Sequence, residues 1–212
     1  MKSKEVLKKL NKFWKKFWFV VWKDDSLKGW IISIVFLFVL IKFLLLPGLS
    51  LVTGTALPLA IVESCSMYHD GNLISNNAEW WTRQDSKYSE FIINELDFKE
   101  FSFQNGFNKG DILFVIGANP DKLKIGDIII FEANKKHPLI HRIISIEEEN
   151  NEKIFSTIGD NNNGQLSVEK EISEDQLVGK AVFRIAPYLG WGKLIFYEGL
   201  RPQSERGLCE EN

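Results

Sequence analysis

Val62-Glu63-Ser64-Cys65-Ser66-Met67-Tyr68-His69 divides the chain into an apolar approach and a polar body. In an extended segment Ser64 and Ser66 fall on one side. Ser66 can then attack as a nucleophile while Ser64 helps to hold the oxyanion that the attack creates. Cys65 turns to the other side, which favours the hydroxyl of Ser66 over a thiol nucleophile. Ser-x-Ser-Met also arises by chance. The reading therefore turns on whether a base and an orienting acid follow, at places that can fold back onto Ser66.

Upstream, residues 30–46 form an unbroken apolar run apart from Ser33 and Lys42, close to the minimum needed to cross the ~30 Å hydrocarbon layer as a helix. Pro47-Gly48 is expected to stop that helix, and Lys42 can extend its ammonium outward. No small-x-small cleavage site follows, so the run reads as a retained signal-anchor. Residues 1–30 hold nine lysines against Glu5, Asp24 and Asp25, whereas the whole chain carries −2. A basic head before an apolar segment and an acidic body implies a single-pass membrane protein with its N-terminus in the cytoplasm. In residues 5–22, lysines interleave with Phe and Trp at helical spacing, as in a helix lying on lipid headgroups. Such a stretch can also bind nucleic acid; the apolar segment behind it favours lipid. Residues 49–62, broken by Gly54 and Pro58, read as extended chain that leads Ser64 and Ser66 into place.

Downstream, residues 70–108 form a polar, aromatic insertion with an amphipathic helix expected near 78–96. Its aromatics fit packing onto the domain, with dipping into a membrane as the alternative. Gly110-Asp111 and Gly126-Asp127 each open a β-strand, and three further strands are expected near 138–146, 153–158 and 177–185. Short strands with Gly-Asp turns argue for antiparallel sheet folded on itself, a mainly β class behind one N-terminal transmembrane helix. Glu147 to Glu152 reads as a solvated hairpin tip. Residues 200–212 read as disordered. Cys65 and Cys209, far apart, make neither a disulfide framework nor a metal cluster and are expected as unpaired thiols. No metal or other cofactor is implied.

His141 sits in an apolar strand beside Arg142. A lone strand histidine is commonly a satisfied core residue, yet an imidazole is also the expected base for a serine, because it ordinarily titrates near neutral pH. His69 and His137 compete for that role, but no strand would fix their rings. Gly159-Asp160-Asn161-Asn162 follows a strand. Asp160 can hold an imidazole in one tautomer, or the four residues can simply make an Asx turn.

The order Ser66-Met67, His141-Arg142, Gly159-Asp160-Asn161-Asn162 resembles that of type I signal peptidases. It is closest to the archaeal and endoplasmic-reticulum branch, in which histidine stands where bacterial members have a lysine base. The resemblance covers roughly residues 30–192. It implies Ser66 as nucleophile, His141 as general base and Asp160 as acidic partner, with Ser64 at the oxyanion and Met67 beside the substrate. Three departures stand out. His69 replaces a proline, and residues 70–108 are longer than usual. Leu166 occupies the place of a second acid, the nearest acid being Glu169.

The chain is accordingly expected to divide into a cytoplasmic segment (1–29), a signal-anchor helix (30–46), an extracytoplasmic catalytic domain (47–192) and a tail (193–212). The activity implied is removal of signal peptides from secreted preproteins at the outer face of the cytoplasmic membrane. Membrane lipids and the translocation machinery would be its neighbours, and nucleic acid would not. Two other readings stay open: a self-cleaving regulatory protease, and an inactive relative that only holds signal peptides.

Overall fold

The computed structural model describes residues 2–70, 77–134 and 137–210. They fall into two compact units, Met1–Val52 and Thr53–Asn212.

In the first unit, α1 (Lys2–Lys23) and α2 (Leu27–Leu40) are joined by a tight turn. Ser26 caps α2 by accepting from the Gly29 N–H at 3.1 Å. The helices touch where the Phe17 and Phe36 rings meet edge-on and where the Ser33 hydroxyl donates to the Val21 carbonyl. The chain does not stop at Pro47-Gly48. A π-helical turn (Ile41–Leu45) leads into α3 (Leu46–Thr53), so helix runs from Leu27 to Thr53. Within this turn Leu46 N–H bonds to Ile41 O, five residues back. The widened turn absorbs the N–H that Pro47 lacks, as spanning helices do at proline. At 27 residues it is about 40 Å long, and it is apolar enough to cross a membrane.

The second unit is built on a six-stranded antiparallel sheet: β1 (Leu59–Ile61), β2 (Ile112–Ile116), β3 (Ile128–Phe131), β4 (Leu139–Glu149), β5 (Glu152–Ile158) and β6 (Leu177–Ala186). Their spatial order is β1-β2-β6-β3-β4-β5. The repeated Gly-Asp pattern makes the same turn twice. Gly110 and Gly126 both adopt φ +91°, a region open to glycine. The aspartate after each accepts from a backbone N–H three residues upstream: Asn108 N–H for Asp111, Lys124 N–H for Asp127. The central β3 is buried throughout. The acidic tip is a two-residue hairpin in which Glu149 pairs with Glu152. Asn150 and Asn151 take φ of 52° and 67°, the pair of left-handed residues that a type I′ turn needs.

The insertion holds two helices rather than one over 78–96. α4 (Asn77–Ser89) ends, Ile92 turns with φ 61°, and Asn94 starts α5 (Glu95–Lys99) with its own capping box. Trp80, Trp81, Tyr88, Ile93 and Phe98 then pack with Ile144 and Ile158 of the sheet as one cluster.

Two expectations fail at the C-terminus. Cys65 and Cys209 form a disulfide, with Cα atoms 5.3 Å apart. The described residues beyond 200 are ordered by it and by Lys109. That lysine is buried, and its ammonium donates to the Glu198 carboxylate and to the Glu205 and Gly207 carbonyls. Residues 211–212 lie outside the described set.

Candidate active site

His141 is the third residue of β4, paired with Ile129, and Arg142 pairs with Ile128. Successive strand residues turn to opposite faces, so the two polar side chains enter different surroundings. His141 turns towards Ser66, which sits on the turn after β1. Its Nε2 lies 2.8 Å from Ser66 Oγ, and its Nδ1 hydrogen-bonds the Glu169 carboxylate. With Nδ1–H held by Glu169, the Nε2 lone pair faces the serine hydroxyl, the tautomer needed to take its proton. Ser64 Oγ stands 3.2 Å from Ser66 Oγ on the exposed side.

Glu169 is fully buried on a short 3₁₀ turn. Leu166 N–H donates to one carboxylate oxygen at 2.7 Å, and the Thr157 hydroxyl to the other at 3.3 Å. A buried charge requires such partners, and they aim the carboxylate at His141.

Asp160, the acid expected on the imidazole, sits elsewhere. The Arg142 guanidinium takes it by a forked contact, Nη2 at 2.6 Å and Nε at 2.9 Å. The Tyr88 hydroxyl donates at 2.7 Å, and His69 Nε2 lies at 2.8 Å. These donors saturate the carboxylate on the face away from His141. Burial opposes its charge, but Arg142 and the His69 hydrogen bond overcome this and hold its pKa far below the usual carboxylate range. The Asp160 loop instead braces the serine turn. Asn161 N–H donates to Ser66 O at 2.7 Å. A side chain at Gly159 would put its Cβ 2.9 Å from that same oxygen. Met67, expected beside the substrate, is instead buried in the core with Val62, Phe107 and Leu113. Its sulfur accepts from Asp160 N–H, because it turns inward from the side that Ser66 presents.

His69 also departs from expectation. It is buried, and its ring stacks on Trp80 with centroids 3.6 Å apart. Burial pushes its pKa down, against the pull of the Asp160 charge. A folded-state value below the unfolded one, about 6.5, means that protons favour the unfolded chain. His69 therefore contributes stability that is present above about pH 6.5 and lost as pH falls through its lowered value. The thermal midpoint of the full chain in micelles should fall between pH 7.5 and 5.5, and His69→Gln should flatten that slope. An unchanged slope in the variant would remove His69 from the effect. Asp160 adds a second loss only below about pH 4.

Beside Ser66 a groove of about 660 Å³ runs between β1 and the start of β4, with Phe107 and Ile130 among the residues that line it. β1 is the terminal strand of the sheet, so its outer edge is open. Residues 139–141 of β4 precede the first residue paired with β5, Arg142.

No protein-family model matches the chain. It is 32% identical over 105 residues to the human signal peptidase complex catalytic subunit SEC11C, covering 44% of this chain and 52% of that protein. The signal peptidase complex catalytic subunit SEC11 of Lachancea thermotolerans is 33% identical over 99 residues, 42% of this chain and 58% of its own length. That of Candida tropicalis is 29% identical over 106 residues, 47% and 63%. The chain spans about half the length of the curated relatives it matches first. A serine, an imidazole and a buried carboxylate in hydrogen-bond series beside the terminal strand agree with that similarity: over this stretch the chain is similar to signal peptidase complex catalytic subunits.

Proposed function

We propose that the chain is a membrane-anchored serine endopeptidase that removes signal peptides from preproteins. The observation that carries this reading is the series Ser66–His141–Glu169 at the mouth of the groove. His141 takes the Ser66 proton as Oγ attacks the scissile carbonyl. The Ser64 hydroxyl and the Ser66 N–H hold the oxyanion. His141 then passes the proton to the leaving amine, and water releases the acyl-enzyme by the reverse sequence.

The substrate lies extended between the edge of β1 and residues 139–141. Main-chain pairing supplies affinity there, and alternate side chains enter shallow pockets. The 27-residue apolar helix anchors the chain, with the lysine-rich segment in the cytoplasm and the second unit on the far side. Lipids and the translocation machinery are its neighbours, and its histidine base belongs to the archaeal and endoplasmic-reticulum type. The inactive alternative was motivated by Leu166 at the second acid position. It loses that motive, because Glu169 bonds His141.

The test is purified full chain in phospholipid vesicles with a secretory preprotein. We expect cleavage after a small residue, read by N-terminal sequencing of the product, and its loss after treatment with a fluorophosphonate. Intact preprotein, or cleavage indifferent to the fluorophosphonate, overturns the reading.

A further inference from the structure

The chain beyond α6 (Trp191–Leu194) forms a strap beside the serine turn. Its far end is bonded through Cys209 to Cys65, the residue preceding Ser66. The Asn161 amide donates both to Cys65 O and to Glu210 O, at 3.1 Å each. The middle of the strap wraps the buried Lys109 ammonium, which lies 2.5 Å from Glu198 Oε1 and 2.7 Å from Glu205 O. Arg201 reaches across to Glu63 at 2.8 Å. Arg201 and Glu205 line the groove together with Glu63 and Ser64, so the strap is one of its walls.

The reacting groups have supports of their own. Ser66 O is held by Asn161 N–H, and Met67 O by Phe107 N–H at 2.9 Å. His141 is held by Glu169. None of these bonds passes through the strap. Both cysteines are only partly buried, within reach of a small thiol.

We propose that the strap is a specificity element of the groove, held shut by the Cys65–Cys209 bond and opened by a dithiol. This rests on the endopeptidase reading above. One thiolate of the reagent attacks a disulfide sulfur and expels the other cysteine as thiolate. The reagent's second thiol then resolves the mixed disulfide. Cys65 and Cys209 end as thiols and the reagent as a cyclic disulfide, two electrons and two protons having passed to the protein. With the covalent tie gone, the strap loses its anchor at Cys209, and Arg201 and Glu205 lose their fixed place in the wall. The nucleophile keeps its base while the substrate loses a wall.

The experiment measures two quantities on the full chain in micelles, before and after dithiothreitol and again after reoxidation. They are the rate of Ser66 labelling by a small fluorophosphonate and KM for a preprotein. Alkylation and mass measurement confirm the thiol state. We expect labelling to stay within twofold, and KM to rise at least tenfold on reduction and return on reoxidation. Cys209→Ala should behave as the reduced protein does and ignore the dithiol. An unchanged KM with both thiols free overturns the proposal. Joint collapse of labelling and cleavage also overturns it, since the bond would then be holding up the fold rather than walling the groove. Oxidised wild type that neither labels nor cleaves overturns the endopeptidase reading and this inference with it, whereas equal KM in both states removes the inference alone.

Discussion

Ser66→Ala should lower kcat for preprotein cleavage by about 10⁶, the order seen when the nucleophile is removed from a serine–histidine–acid series. The effect is large because the hydroxyl has no substitute in the described site. Ser64 Oγ lies 3.2 Å from Ser66 Oγ but has no imidazole contact, and Cys65 is tied up in a disulfide. Substrate binding should change little, because the groove walls stay in place. Single-turnover cleavage in vesicles, with KM followed in parallel, measures both. A variant that retains a tenth of the wild-type rate would remove Ser66 from the chemistry.

Glu169→Gln should cost about 10⁴ in kcat. The carboxylate accepts from His141 Nδ1, so it keeps the other nitrogen free to receive the serine proton. A glutamine amide can instead donate to Nδ1, which moves the ring proton to Nε2 and points it at Ser66. Asp160→Ala should act differently. It leaves the buried Arg142 guanidinium without its carboxylate, a loss of about 3–5 kcal/mol in stability. On the molecules that remain folded, kcat should fall less than tenfold. Thermal midpoints and kcat for the two variants separate the roles. If Asp160→Ala gave the catalytic loss at an unchanged midpoint, the two acids would have to be exchanged.

Much of this was legible in the residues themselves. Two Gly-Asp pairs announced two copies of one turn, alternating apolar runs announced the strands, and an apolar stretch announced the long helix. The meeting of Ser66 with His141 is legible because a serine nucleophile would need a base, and one histidine lies on a strand. The choice between Asp160 and Glu169 was not legible from spacing, because it depends on which face of β4 each loop returns to. Arg142 decides it by drawing Asp160 to its own side. His69 looked like a turn residue because its partners, Trp80 and Asp160, are close only after folding. The helix ran past Pro47 because a widened turn removed the cost that a proline ordinarily imposes. The pairing of Cys65 with Cys209 is not legible because a separation of 144 residues carries no local signal. The extracytoplasmic placement expected for the domain, where paired cysteines are ordinary, is the one hint.

His141 and Arg142 are neighbours on one strand, and each answers to a different buried carboxylate. A slip of β4 by a single residue would move one of them into the other's place and put Ile140 or Ile143 in the place left, because side chains alternate along the pleat. One of the buried carboxylates, Glu169 or Asp160, would then face an isoleucine, and the mispaired sheet would lose its cohesion. Correct registry is thus checked twice by adjacent side chains, and a misaligned copy would unfold instead of persisting as a folded but inert chain.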